Sequence, residues 1–96
     1  MVIQHKESGK RGMFYVKEDD DIIAEIVYGS GGDNVIIIEH TEVDDRLKGQ
    51  NIGFELVHKT VEHARSHGLK IMPACVFAKA VFDKRADFKD VLAPHP

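Results

Sequence analysis

Four consecutive apolar residues, Val35-Ile36-Ile37-Ile38, run straight into Glu39-His40-Thr41-Glu42-Val43. A few residues on, the chain reaches Leu47-Lys48-Gly49-Gln50-Asn51-Ile52-Gly53. Strict alternation would mark a strand with one wet face. An unbroken apolar run predicts instead a strand over residues 35–43 with both faces covered. Ile52, Leu56, Val57, Val61 and Ala64 then fall on one stripe at helical spacing, which predicts a helix over residues 51–67, stopped by Gly68. A buried strand, a glycine-containing loop and a helix in that order aim backbone N–H groups and the positive end of a helix dipole at an anion.

The rest of the chain must pack around that unit. Residues 13–16 and 22–28 are rich in aromatic and β-branched side chains and read as two further strands. A charged turn separates them, and the turn composition Gly29-Ser30-Gly31-Gly32-Asp33-Asn34 follows the second. Residues 1–12 read as a polar lead-in. Three strands so close in sequence predict an antiparallel meander. After the helix, residues 69–76 read as a fourth strand, at an edge or splayed from its neighbour because Pro73 cannot donate to a ladder. A second helix is expected over 77–84, with Phe88, Val91 and Leu92 packing the C-terminal turn back onto the sheet. The expected order is βββαβα: an α/β fold with a mixed, strongly twisted four-stranded sheet, one long helix and short C-terminal helices. A strand–helix–strand crossover favours a parallel, right-handed connection. Residues 1–96 are expected to form a single domain, with 1–10 and 93–96 flexible.

Ninety-six residues support one modest core and leave no room for a large substrate-binding subdomain. A net charge of −3, with Lys and Arg spread along the chain, argues against general nucleic-acid binding. The lone Cys75 excludes an intramolecular disulfide and suggests a reducing compartment. No run approaches a membrane span, and no apolar signal core opens the chain, so cytoplasm is the expected location.

The loop and its surroundings resemble the acyl-CoA-binding core of the GNAT (general-control-type N-acetyltransferase) superfamily, whose phosphate loop is written Q/R-x-x-G-x-G/A. Here Lys48, Asn51 and Gly53 occupy the specified positions within K-G-Q-N-I-G. Lysine replaces the planar fork by a point charge. Asparagine replaces the first glycine and is the non-glycine residue that best tolerates positive φ. Glu39-His40-Thr41-Glu42-Val43, Ala74-Cys75-Val76-Phe77-Ala78-Lys79 and Asp90-Val91-Leu92 further resemble the small YjdJ-type GNAT-like group. That resemblance covers the chain from the second strand to Leu92.

The resemblance implies an acetyl-CoA-dependent N-acetyltransferase acting on an unidentified amine, on a small molecule or a peptide. It implies pyrophosphate on the amides of Lys48, Gly49, Gln50, Asn51, Ile52 and Gly53. Pantetheine would pair with backbone at Thr41, Glu42 and Val43, and Phe77 and Lys79 would lie near the cofactor. His40 and Cys75 match the residues singled out near the thioester: His40 as base, or as activator of Cys75 in a covalent route. Glu39 or Glu42 can orient the imidazole.

Plainer readings stand beside these. Cys75 can be a space-filling core residue, and His40, which shares a strand face with Ile36 and Ile38, a hydrogen-bonded core histidine. The chain has only Tyr15 and Tyr28, both upstream, where many superfamily members place a tyrosine after the last strand to protonate the leaving thiolate. A non-catalytic acyl-CoA-binding or sensing module is the alternative function, and an interaction domain without CoA a third. His63 and His67 are four apart on the helix, where a solvated face is the plainer reading, and there is no companion Cys or acidic motif to make a zinc site, so no metal is expected.

Overall fold

The computed structural model describes residues 2–94. Five strands form one sheet in sequence order: β1 (Gln4–Ser8), β2 (Arg11–Glu18), β3 (Asp21–Ser30), β4 (Val35–Val43) and β5 (Lys70–Pro73). The first four pair antiparallel, and β4 pairs parallel with β5. Helix α1 (Ile52–His67) is the crossover, and α2 (Val76–Lys84) and a 3-10 segment (Ala86–Val91) follow β5. The expected strand over 35–43 and the main helix are where the sequence places them. No helix among the described residues is long and apolar enough to cross a membrane.

Three expectations are corrected. The sheet has five strands, not four, because residues 1–12 contain β1. All five of its residues are exposed, so it lacks the alternation that announces a strand; its register with β2 is set by the two-residue turn at Gly9 and Lys10, where Gly9 takes φ 61. Secondly, β5 ends at Pro73, and α2 begins at Val76, where residues 69–76 were expected to be strand. Thirdly, β4 is fully buried on one face only: Ile36 and Ile38 are buried, Val35 and Ile37 half-buried. His95 and Pro96, the end of the expected flexible tail, lie outside the described residues.

The core forms where the inner face of the meander meets α1. Leu56, Val57, Val61 and Ala64 of α1 and Ile26, Ile38 and Ile71 of the sheet have no exposed surface. Truncating such a leucine or isoleucine to alanine costs about 2–5 kcal/mol. Thr60, equally buried, returns its hydroxyl to the Leu56 carbonyl at 2.9 Å, so no polar side-chain atom is orphaned there. Gly68, at φ 66, closes α1 in the left-handed conformation. Phe82, Phe88 and Val91 bring the C-terminal segment onto this core. Leu92 bridges Ile71, and the Ala93 amide donates to the Ile71 carbonyl at 2.8 Å, covering part of β5's outer edge.

Two arginines fasten that segment. Arg65 on α1 grips both carboxylate oxygens of Asp90 at 2.9 Å, and Arg85 lies over the rings of Phe54 and Phe88, 4.8 and 4.6 Å from their centroids. The Arg65 hydrogen bonds hold the Asp90 carboxyl below its ordinary value of 3.8. A depressed carboxylate stabilises the fold above its unfolded pKa and ceases to as the pH falls through the folded value. Amide exchange in the 3-10 segment is therefore expected to accelerate before the core's on acidification below about 3.8. Asp90→Asn should produce the same local loosening at neutral pH, read by hydrogen exchange.

Tyr28 lies across Gly12 on the neighbouring strand, so a Cβ at Gly12 would strike its ring and hydroxyl. Gly12→Ala is expected to destabilise the protein by about 1–3 kcal/mol through overpacking, measured by urea unfolding.

Candidate functional site

The pairing of β4 with β5 is only four residues long, from Val35↔Lys70 to Ile38↔Pro73. Pro73 brings no donor, and the next two amides, of Ala74 and Cys75, both turn to the single carbonyl of Ile38, at 3.0 and 3.2 Å. The chain then leaves the sheet and starts α2. Residues 39–43 of β4 continue, paired only with β3. The Asp44 amide donates to Ile23 at 2.8 Å, so alternation turns the backbone groups of Glu42 toward β3 and those of Thr41 and Val43 outward. A V-shaped gap results, with an unpaired strand edge along one wall.

At the mouth of the gap the chain tightens into a loop. Asp44 caps a 3-10 turn (Asp45–Leu47) through the Arg46 amide at 2.9 Å. That bond, helped by the Arg46 side chain, holds its carboxyl below the usual range. Leu47 is buried and anchors the turn. Gly49 at φ 83 and Asn51 at φ 61 then reverse the chain. Asparagine here adopts the left-handed region that otherwise favours glycine. Its side chain makes no capping bond. The first internal bond of α1 runs from the Glu55 amide to the Asn51 carbonyl at 3.1 Å, so the amides of Ile52, Gly53 and Phe54 have no acceptor within the helix. Among the described residues, those of Gly49 and Asn51 have no backbone acceptor either. Five such donors and a helix N-terminus lie together in and beside one exposed loop, which suits a phosphate. Phe77, half-exposed, stands over this helix end: a Cβ on Gly53 would come within 2.7 Å of its ring.

Cys75 is the N-cap of α2. Its sulfur accepts from the Ala78 amide at 3.4 Å and lies 3.4 Å from the Thr41 hydroxyl. Thr41 and Cys75 thus meet across the floor of the gap, and Val76, almost fully exposed, and Phe77 add an apolar lip.

His40 is placed otherwise than alternation predicted. A bulge interrupts the β3–β4 ladder, with Val27 opposite His40 but Tyr28 opposite Ile38. Glu39 is the extra residue, and beyond it every side chain changes face. His40 therefore leaves the face of Ile36 and Ile38 and stands on the outer face, half-exposed, while Thr41 opposes the buried Ile26. Its Nε2 is 3.1 Å from Glu42 and 3.8 Å from Glu25. Glu39 is occupied elsewhere, paired with Arg11 at 2.7 Å. Among the described residues, no hydrogen bond joins His40 to Cys75.

The loop residues 48–53, Thr41, Val43, Cys75 and Phe77 are brought together around the gap. Glu42 lies beside it with its side chain on His40, and the Ile52 side chain is buried while its amide faces the loop. Lys79 is not brought to the loop: two residues from Phe77, it points away and lines a separate groove with Met72, Pro73 and Phe82. Glu25 was missed by sequence reasoning, since only the register places it under His40. The Thr41–Cys75 contact was missed because a one-residue bulge leaves no local signature. Neither tyrosine reaches the gap. Tyr15 bonds Gln4 at 3.2 Å, and Tyr28, buried, bonds His5 at 2.7 Å.

The comparisons agree with this architecture. The family model described as GCN5-related N-acetyl-transferase matches residues 13–91. A GCN5-like N-acetyltransferase candidate from Staphylococcus aureus, known from its solution structure, is 35% identical with a TM-score of 0.72; the match covers 97% of this chain and 90% of that one. A streptothricin acetyltransferase candidate from Bacillus anthracis, in complex with acetyl coenzyme A, is 21% identical with a TM-score of 0.61, over 80% of this chain and 47% of that one. Glucosamine-6-phosphate N-acetyltransferase from Arabidopsis thaliana is also 21% identical with a TM-score of 0.61, over 91% and 63%. The last two show likeness of fold, and this chain spans about half to two-thirds of their length. No curated protein matches the sequence. With its splayed strands, its loop of free amides and a family match over most of its length, the chain belongs to the GCN5-related N-acetyltransferase family.

Proposed function

We propose that the protein binds acetyl-CoA in the gap between β4 and β5 and transfers the acetyl group to a primary amine. The observation that carries this reading is the clustering of acceptor-free amides at 49 and 51–54 beside a gap whose wall is an unpaired strand edge. Pyrophosphate takes the loop amides, with Lys48 as a nearby counter-charge. Pantetheine adds as a short strand along Thr41 and Val43, passing Phe77 and Val76, and the thioester ends near Thr41 and Cys75.

The acceptor comes from the outer face. Glu25, Glu42 and Asp44 line a cleft beside His40, and this carboxylate-rich wall attracts an alkylammonium. His40, oriented by Glu42, takes one proton from the ammonium. The freed nitrogen lone pair attacks the thioester carbon, and the C–S bond breaks as the carbonyl re-forms. The departing thiolate takes a proton from the Cys75 thiol, and the second proton on nitrogen returns that thiol to its starting state through solvent. Direct transfer suits this geometry better than a Cys–His pair, because the histidine and the thiol stand on different faces of β4.

Acetyl-CoA at a hundred times its Kd should stabilise the protein by about 2.7 kcal/mol, read as a raised Tm. NMR amide shifts should concentrate at 41–54 and 75–77. Absence of both at millimolar cofactor sinks the reading, including its binding half.

With a panel of primary amines, acetyl-CoA-dependent CoA release should fall by about 10²-fold in His40→Ala. Intact mass should reveal no acetyl adduct on Cys75 during turnover. An adduct that disappears in Cys75→Ala would replace direct transfer by the covalent route. Tight binding without turnover on any amine would leave a module that holds acyl-CoA.

A further inference from the structure

A second cluster stands at the opposite end of α1, and acetyl transfer makes no use of it. His5 and Glu7 are two apart on β1 and project from one face, opposite Phe14 and Gly12 of β2. Because Gly12 has no side chain, Tyr28 can lie across it and reach His5 Nε2 at 2.7 Å. The His5 ring stacks on Phe14, with centroids 4.1 Å apart and planes 9° from parallel. His63 of α1 meets it edge-on at 4.9 Å. One ligating atom each from His5, Glu7 and His63 then lie within 4.8 Å of one another. A groove of about 230 Å³, lined in part by Glu7, Tyr28, His63 and Val35, opens onto them. Ten residues of helix separate His63 from Gly53, about 15 Å along the axis, so this site is distinct from the loop.

We propose that His5, Glu7 and His63 bind one divalent transition-metal ion, with zinc the best match. Two imidazoles and one carboxylate form a nitrogen–oxygen set that zinc accepts and that calcium and magnesium, which prefer all-oxygen shells, do not. Zinc bonds of about 2.0–2.2 Å in a tetrahedron put ligand atoms roughly 3.3 Å apart, so the three side chains must draw in by about 1.5 Å. His5 and Glu7 are exposed, and the long Glu7 side chain supplies most of that movement. The fourth position faces the groove and takes water. Tyr28 and Phe14 hold the His5 ring, as partners behind a metal ligand commonly do. Burial, then His67 and His5, keep the His63 imidazole below its usual range, favouring its neutral form. The ion joins β1, an edge strand that buries none of its own residues, to the central helix.

The nearest competing site is the helical pair His63 and His67, whose rings are 4.3 Å apart. His67 already spends Nδ1 on the His63 carbonyl and Ser66, both at 2.9 Å. The test is calorimetric titration of the EDTA-treated full chain with zinc chloride, with Tm and histidine side-chain NMR followed on the same samples. One equivalent should bind saturably, raise the Tm and shift the His5 and His63 rings. Affinity should fall at least about tenfold, the minimum that losing even a ligand's supporting partner costs, in both His5→Asn and Glu7→Gln. Both positions are exposed, and unchanged circular dichroism will establish that each variant is folded. No saturable binding at millimolar zinc would overturn the proposal. So would binding unchanged in both β1 variants, which together with loss in His67→Gln would assign the ion to the helical pair.

Discussion

Much of this molecule depends on one carbonyl. The oxygen of Ile38 accepts the amides of both Ala74 and Cys75, and with that β5 has spent its last donors on β4. Pro73 helps by offering none. A parallel pair that ran its full length would have zipped residues 39–43 into the sheet and left only a flat, hydrogen-bonded surface. Ending the pair after four residues opens an edge in the interior of the fold. Unpaired backbone groups are costly when buried, so the gap persists because it is open to water, or to a ligand that can satisfy the same groups.

The loop at 48–53 is organised around the same economy of donors. Its residues spend few amides internally: Lys48 on Asp45 and Gln50 on Leu47. Leu47 anchors the loop in the core, and Asp44 and Arg46 hold its approach from β4, with Arg46 reaching Glu18 at 3.2 Å. Support from outside lets the remaining amides stay without backbone acceptors while the turn keeps its shape. Asn51 is central, since as an N-cap in the left-handed conformation it turns the chain into α1 while its side chain leaves the following amides uncapped.

The long elements were legible because their signals are local. An apolar run bounded by turn residues and a five-residue helical stripe ending in Gly68 identify β4 and α1 almost residue by residue. What stayed hidden depends on register. β1 carries no hydrophobic pattern, since its stability comes from ladder bonds to β2 and from His5 stacking on Phe14. The extra residue at Glu39 cannot be seen in a string of letters, yet it decides which face His40 occupies. For the same reason the loop could be placed from the sequence alone, whereas the partners of His40 and Cys75, namely Glu25 and Thr41, could not. Nothing local links His63 to Glu7, which the sheet brings to it from more than fifty residues away.

The bulge at Glu39 has a wider consequence. In a regular strand, neighbouring side chains are bound to a strict two-sided rhythm, so altering what one face presents constrains the other. One inserted residue resets that rhythm midway along β4. The length before the bulge is committed to the hydrophobic interior, and the length after it presents His40 and Glu42 outward and Thr41 inward from one continuous backbone. Selection can therefore remodel the outer carboxylates one at a time while the inward residues and the exposed edge stay as they are. From a single insertion, one strand acquires two surfaces that can evolve independently.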